Sequence, residues 1–241
     1  MARERILAHK EFKTLSVLVP VFNEEATLRQ VLDRIRSVEL PLELEVVVVN
    51  DASSDGTAAV LKELDDPAIK VFTHPQNQGK GAALRTGLAE VTGDIVLVQD
   101  ADLEYDPNDW PSLLAPIIEG KTSVVYGSRF SGDNENMSGL HWIGNKFLTL
   151  TTTVLYATKI TDMETCYKCF DRRVLEPIHV VSNRFDFEPE ITAKVLRQGY
   201  SIYEVPISYQ GREFDEGKKI TWRDGFAALK ALVKFRFTTT L

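Results

Sequence analysis

The chain has 241 residues, 44% hydrophobic and 26% charged, the make-up of a globular protein able to bury one sizeable α/β core. A formal net charge of -7 argues against a general nucleic-acid binder, so no nucleic acid is expected as a partner. The most apolar stretch, Phe147 to Ile160, is interrupted by five threonines and a lysine, which excludes a membrane span there.

Residues 1–14 lack the apolar core of a signal peptide and read as a charged, flexible leader, which places the protein in the cytoplasm. Leu15 to Val19 reads as a short buried strand closed by Pro20. Apolar residues at 28, 31, 32 and 35 then give a helix from Ala26 to Val38, which Pro41 ends. Leu44 to Val49 is a nearly continuous β-branched run, as in a strand covered on both faces. It opens into Asn50-Asp51-Ala52-Ser53-Ser54-Asp55-Gly56-Thr57, rich in helix-capping residue types. A helix over Ala58 to Leu64 and a strand over Ile69 to Phe72 follow.

Gly79-Lys80-Gly81 opens a helix running to Val91, and Ile95 to Gln99 is the next buried strand. That strand ends in Asp100-Ala101-Asp102. Two hard carboxylates at the end of a parallel strand suit Mg²⁺ or Mn²⁺, although Asp-x-Asp alone also describes a solvated turn. A helix from Asp109 to Glu119 leads to a strand at Ser123 to Tyr126, which ends in Gly127-Ser128-Arg129. Strand and helix alternate throughout, predicting one α/β domain with a mainly parallel central sheet and helices on both faces.

Beyond Arg129 the rhythm changes. Ser131 to Gly139 reads as a polar loop of the kind that covers a site, followed by helices over His141 to Ala157 and Asp186 to Gln198. Ser201 to Tyr209 reads as a strand, with Pro206 marking an edge or bulge. Cys166 and Cys169 have no second Cys or His pair at zinc spacing and are read as buried reduced thiols. The last segment, Thr221 to Phe237, is a basic amphipathic helix. Its stripe, including Trp222, Phe226, Val233 and Phe237, can pack on the core or lie on a membrane surface, and packing is the commoner use.

The loops at Asn23, Asp51, Asp100 and Arg129 should all open at the edge of the sheet where ligands bind. Asp51 could accept hydrogen bonds from a base or ribose, whereas Ser53, Ser54 and Asp55 could equally be turn and cap residues. Gly79-Lys80-Gly81 lacks P-loop spacing but offers a lysine and N–H groups to a diphosphate at a helix start.

In this order and spacing, Val17-Leu18-Val19-Pro20-Val21-Phe22-Asn23-Glu24, the Asn50–Thr57 stretch, Asn77-Gln78-Gly79-Lys80-Gly81 and Asp100-Ala101-Asp102 resemble family-2 glycosyltransferases of GT-A fold. Within them the chain looks most like dolichyl- and polyprenyl-phosphate sugar transferases. The resemblance implies a GT-A domain over 15–220, with 221–241 as an appended helix. It implies that Pro20, Asn23, Glu24, Asp51 and Asp55 hold the nucleotide sugar, with Lys80 and Asp100 at its diphosphate. Asp100 and Asp102 would hold the metal, with Glu104 as a third ligand. Arg129 would face the sugar or acceptor phosphate, and Arg212, Lys218 and Lys219 would close over the phosphates.

The implied reaction is inverting transfer from a nucleotide-diphosphate sugar, with uridine favoured over guanosine. A hydroxyl acceptor needs a general base, and Asp162 or Glu164 could serve. A phosphate acceptor needs only cations, here Arg129, Lys168, Arg212 and Lys218, which favours a lipid phosphate and allows peripheral membrane contact. The alternatives are transfer to a hydroxyl of a glycan, protein or small molecule, and a nucleotidyltransferase, whose glycine-rich first loop this chain lacks.

Overall fold

The computed structural model describes residues 7–8, 10–131, 134–135, 139–211 and 222–238, without the side chains of 134–135, 139–141 and 222–223. The proposed late basic loop, with Arg212, Lys218 and Lys219, lies outside the described residues.

The first half of the chain builds the expected alternation: β1 (Thr14–Val21), α1 (Leu28–Ser37), β2 (Glu43–Asn50), α2 (Thr57–Lys62), β3 (Ile69–Thr73), α3 (Lys80–Glu90) and β4 (Ile95–Val98). A 3₁₀ turn at Pro107–Asp109 leads into α4 (Trp110–Ile118) and β5 (Val124–Ser128). The strands are apolar on both faces because helices cover both sides. Val46, Val47, Val48 and Val49 are all buried, each burial contributing about 1.5–3 kcal/mol.

The second half is less regular. It comprises β6 (Asn134–Glu135), α5 (Gly139–Tyr156), β7 (Lys168–Asp171), α6 (Arg172–Leu175), α7 (Phe187–Arg197), β8 (Tyr203–Pro206), β9 (Tyr209–Gln210) and α8 (Trp222–Phe237). Seven strands form one sheet in the order β3-β2-β1-β4-β7-β5-β8, and β6 pairs with β9 beside it. The strand predicted over Ser201 to Tyr209 divides after Pro206, which has no N–H to continue a ladder.

β7 is the strand of the seven-stranded sheet absent from the sequence reading. It inserts antiparallel between β4 and β5, Leu97 opposite Cys169 and Val125 opposite Cys169. The orientation has a functional consequence. Parallel strands bring their carboxyl ends to the ligand edge, whereas β7 brings the residues just before it, Glu164 to Tyr167. Both cysteines are buried and unbridged, as expected for structural thiols.

Two segments expected to stand apart are packed down. In the leader, Leu7 and Phe12 pack against the core, the Leu7 N–H donates to Ser123 Oγ (3.2 Å) and Lys10 pairs with Asp94 (2.7 Å). The described part of the leader is thus held against the domain, because its apolar residues find buried partners. At the other end, α8 buries Ala228, Ala231, Leu232 and Phe235. Tyr156 of α5 donates its hydroxyl to Leu232 O (2.7 Å) and Arg197 of α7 donates to Phe235 O (3.0 Å). No helix among the described residues is long and apolar enough to cross a membrane.

Candidate active site

A cleft of about 440 Å³ opens along the carboxyl edge of the parallel strands. It is lined by residues following β1 (Phe22, Glu24), β2 (Asp51), β4 (Asp100, Asp102, Glu104) and β5 (Arg129), so the four predicted loops do meet in one crevice. Pro20, Lys80 and Glu164 also line it. Asn23, Asp55, Asp162 and Lys168 do not.

The nucleotide end is organised by Asp51. Its buried carboxylate accepts from the N–H groups of Gln78 (2.9 Å) and Gly79 (2.7 Å) and meets His74 Nδ1 at 2.7 Å. Those contacts take three of roughly four acceptor positions, leaving little for a base or ribose. Asp51 is thus chiefly a clamp that fixes the 77–79 loop. Gly79 adopts φ 99°, and a Cβ there would stand 2.3 Å from Asn183 O. A Cβ on Gly81 would stand 2.7 Å from Ser182 O, so Gly-Lys-Gly is what allows α3 to start against the 182–184 segment. The Ala82 N–H is likewise spent on Asn183 O (3.1 Å). With these donors engaged, the Lys80 ammonium is the principal cation that α3 brings to a diphosphate.

Lys80 sits between two carboxylates, 2.9 Å from Asp100 and 3.1 Å from Glu188 at the start of α7. Burial alone would lower its pKa, but Asp100 and Glu188 outweigh burial and hold it well above the ordinary value. The ammonium therefore already occupies a cation position beside Asp100. Asp102 faces the same cleft, and its Oδ1 accepts from the Glu104 N–H at 3.2 Å. Two hard oxygen donors with substrate phosphate completing the shell is a set that fits Mg²⁺ or Mn²⁺.

The expected third ligand is not assembled with them. Glu104 Oε2 accepts from the Tyr209 hydroxyl (2.8 Å), and among the described residues no three His, Cys, Asp or Glu groups are gathered to hold a metal.

Arg129 and Asp162 form a buried bidentate pair. Arg129 Nε and Nη2 donate at 2.7 and 2.8 Å, and the Arg129 N–H donates to the same carboxylate at 3.0 Å. Burial would lower the guanidinium pKa, but Asp162 holds it well above its usual range. Arg129 still lines the cleft, so N–H groups not used by Asp162 can face an acceptor, whereas Asp162 is 0% exposed and already ion-paired. It is not placed to take a proton from an acceptor. The Arg129 guanidinium carbon lies 5.2 Å over the Tyr209 ring, which links it to Glu104 on the metal side.

Lys168, expected to bind acceptor phosphate, is instead buried on β7. It donates to Met163 O (2.8 Å) and to Thr165 O (2.5 Å) and stands over the Tyr126 ring at 4.4 Å. Burial pulls its pKa down, and it has no access to the cleft. The second position of β7 carries a core cysteine, so the adjoining lysine is enclosed by its own preceding turn. Asn23 and Asp55 are loop organisers rather than cleft residues. Asn23, at φ 54°, accepts from the Ser54 N–H (2.8 Å), and Asp55 accepts from those of Thr57 (3.0 Å) and Glu25 (3.1 Å).

Two acids complete the inner wall, Glu164 and Glu188. Glu164 Oε1 and Glu188 Oε2 are buried with no hydrogen-bond partner. Burial, reinforced by the charge of Glu188, pushes Glu164 up to about 8 from its ordinary 4.5. A carboxyl raised in this way favours the folded state fully below about pH 4.5 and loses that contribution as pH climbs through about 8. Burial and Glu188 thus favour the neutral carboxyl, and its ionisation adds a negative charge beside an anionic donor. Donor KM is expected to rise severalfold from about pH 7 to about pH 9 and to stay flat in Glu164→Gln, which should also unfold at a higher temperature than the parent above about pH 8. Donor titrations and melting curves across that range check both.

By sequence, Glu188 and Glu190 are weaker candidates for a base, more simply polar positions on a helix, and only Glu188 lines the cleft. Glu190 accepts from the N–H of Ser182 (2.7 Å) and pairs with Lys194 (2.7 Å). His74, at the end of β3, was also passed over. Its position immediately after a buried strand, like that of Asp51, was the available signal.

Sheet order, helix placement and an acid-rich cleft at the ends of β1, β2 and β4 define a GT-A-type transferase fold. The same architecture occurs in glucosyl-3-phosphoglycerate synthase from Mycobacterium tuberculosis solved with Mg²⁺ and uridine diphosphate. The TM-score is 0.71 at 22% identity, covering 92% of this chain and 79% of that one.

Residues 16–178 match the family described as glycosyl transferase family 2, and the chain belongs to that family. It is 29% identical over 224 residues to a low-salt glycan biosynthesis hexosyltransferase of Haloferax volcanii. It is 28% identical over 214 residues to an undecaprenyl-phosphate 4-deoxy-4-formamido-L-arabinose transferase of Proteus mirabilis. These alignments cover 91% and 87% of this chain but only 53% and 64% of those proteins. A UDP-N-acetylglucosamine–dolichyl-phosphate N-acetylglucosaminyltransferase of Methanococcus voltae is 25% identical over 250 residues, with 95% of this chain and 98% of that protein covered.

Proposed function

We propose that the chain transfers a sugar, with inversion, from a uridine-diphosphate sugar to a polyprenyl-type lipid phosphate. The observation that carries this reading is the fate of the candidate bases. Asp162 is consumed by Arg129, and burial disfavours the carboxylate form of Glu164, so neither is a free anion in the cleft ready to activate a hydroxyl. A phosphate oxygen is already anionic and needs no base. The relatives named for undecaprenyl-phosphate and dolichyl-phosphate point the same way, and the latter is named for a UDP-sugar.

Asp100 and Asp102 would hold Mg²⁺ or Mn²⁺, which supplies charge stabilisation to the departing diphosphate. Lys80 contributes a second, fixed positive charge at the start of α3, oriented by Glu188 and Asp100. Arg129, locked by Asp162, presents its remaining N–H groups to the acceptor phosphate. Phe22, Phe185 and Tyr105 supply apolar surface to the cleft wall. Catalysis on this reading is positioning and electrostatic stabilisation.

The second reading, transfer to a hydroxyl, has one observation in its favour. Glu188 Oε2 is buried in the cleft wall with no partner and could serve as a base. The two readings separate in one experiment. Uridine diphosphate with Mn²⁺ should raise the melting temperature by several degrees, guanosine diphosphate should not, and either component alone should do little. In the same preparation a short-chain prenyl phosphate should be glycosylated and the corresponding alcohol should not. Transfer to the alcohol alone would replace the first reading with the second.

A further inference from the structure

Helix α5 is apolar on the side turned away from the core. Trp142, Ile143, Phe147, Leu150 and Val154 fall on one face at 3.6 residues per turn, and Val154 is 72% exposed. The opposite face buries Leu148, Thr149 and Thr152. A helix apolar on both sides is normally enclosed. α8 repeats the pattern, with Phe226, Val233 and Phe237 outward and Leu232 and Phe235 inward. The two helices touch through Tyr156 and Leu232 and through Arg236 and Leu155. Exposed apolar surface on this scale marks an interaction site.

We propose that the outer face of α5, continued by α8, rests on the interface of an anionic lipid bilayer. Charge selects the occupant. The two helices carry a single acidic residue, Asp224, against Lys146, Arg223, Lys230, Lys234 and Arg236, in a chain whose net charge is -7. Apolar side chains interleaved with lysines and arginines, with Trp142 near one end, match a headgroup layer over acyl chains. A symmetric second copy would set these cations against their own kind.

Position supports the same occupant, and this step rests on the lipid-phosphate reading given above. Lys146 stands 3.8 Å over the ring of Phe130, the neighbour of Arg129, and Thr149 Oγ1 accepts from the N–H of Met163, the neighbour of Glu164. The exposed face thus backs directly onto the two residues at the acceptor end of the cleft. A bilayer there delivers a lipid phosphate without lifting its chain far into water. The basic face expected of α8 alone is therefore shared, and α5, the helix expected over His141 to Ala157, supplies most of its apolar surface.

The test uses the 241-residue chain and Ile143→Gln/Phe147→Gln/Leu150→Gln, which changes only outward residues and keeps good helix formers. The parent should co-sediment with phosphatidylcholine vesicles containing phosphatidylglycerol, less so in high salt and hardly at all with phosphatidylcholine alone. The variant should keep its melting temperature and its nucleotide-dependent shift while vesicle affinity falls about tenfold or more. Its transfer to a water-soluble short-chain prenyl phosphate should be unchanged, and transfer to a long-chain lipid phosphate in vesicles should drop by a similar factor. Unchanged sedimentation of the variant overturns the proposal, as does a dimer of the parent that the variant dissolves. Loss of vesicle binding together with transfer by the parent to no phosphate acceptor leaves the surface standing and removes the proposed acceptor instead.

Discussion

Asp102→Asn is expected to lower kcat/KM for sugar transfer by about 10²- to 10³-fold, the scale seen when one electrostatic contact to a developing charge is removed. An asparagine oxygen can keep the hydrogen bond that the Glu104 N–H donates to Asp102 Oδ1 at 3.2 Å. The charge and the second hard oxygen go. The melting temperature without metal should therefore stay within a few degrees of the parent. The rise produced by Mn²⁺ with uridine diphosphate should disappear, because Asp100 alone, already paired with Lys80 at 2.9 Å, is a poor single ligand. Both readouts are needed. A variant that keeps activity within about threefold of the parent and retains the metal-dependent shift would remove the acid pair from the mechanism.

The parts of this molecule that sequence conveys well are those where one strand or helix meets one rule. Apolar β-branched runs gave β1, β2 and β4, and polar residues directly beyond them, Asp51, Asp100 and Arg129, do gather in one cleft. What stayed hidden depends on partners distant in sequence. β7 is only four residues long, and what makes it a strand is β4 on one side and β5 on the other. Reading through it misplaced Lys168, whose ammonium turns back onto carbonyls of its own preceding loop. It also hid why Glu164 reaches the ligand edge. Asp55 and Asp51 sit in one loop, yet one accepts from the N–H groups of Thr57 and Glu25 and the other clamps Gln78 and Gly79. The difference is the 77–79 segment, 26 or more residues away in sequence. Glu188 and Glu190 are two apart on one helix and therefore point apart, one to Lys80 and the other to Lys194.

Asp162→Ala should destabilise the fold by about 3–5 kcal/mol, because it leaves the buried Arg129 guanidinium without its counter-charge. For a chain of this size that corresponds to a fall in melting temperature of about 6–20 °C. The loss belongs to the stranded cation rather than to any great net worth of the pair, since desolvating both charges offsets most of their attraction. Arg129→Met/Asp162→Leu should therefore recover much of the stability. It should remain about 1–3 kcal/mol below the parent, because the Arg129 backbone N–H also donates to Asp162 at 3.0 Å and would be left without an acceptor. Activity should not recover with stability. The double variant has no guanidinium at the acceptor end, so transfer to a short-chain prenyl phosphate should stay depressed by about 10²-fold or more. Asp162→Asn keeps the shape of the acceptor for the Arg129 N–H and should retain activity within about tenfold of the parent, whereas loss of a general base would cost about 10²-fold or more. Chemical denaturation and single-turnover transfer on the three variants separate the two functions of the pair. If the double variant regained full transfer, Arg129 would be a structural residue that merely borders the cleft, and the acceptor phosphate would have to be held by other cations.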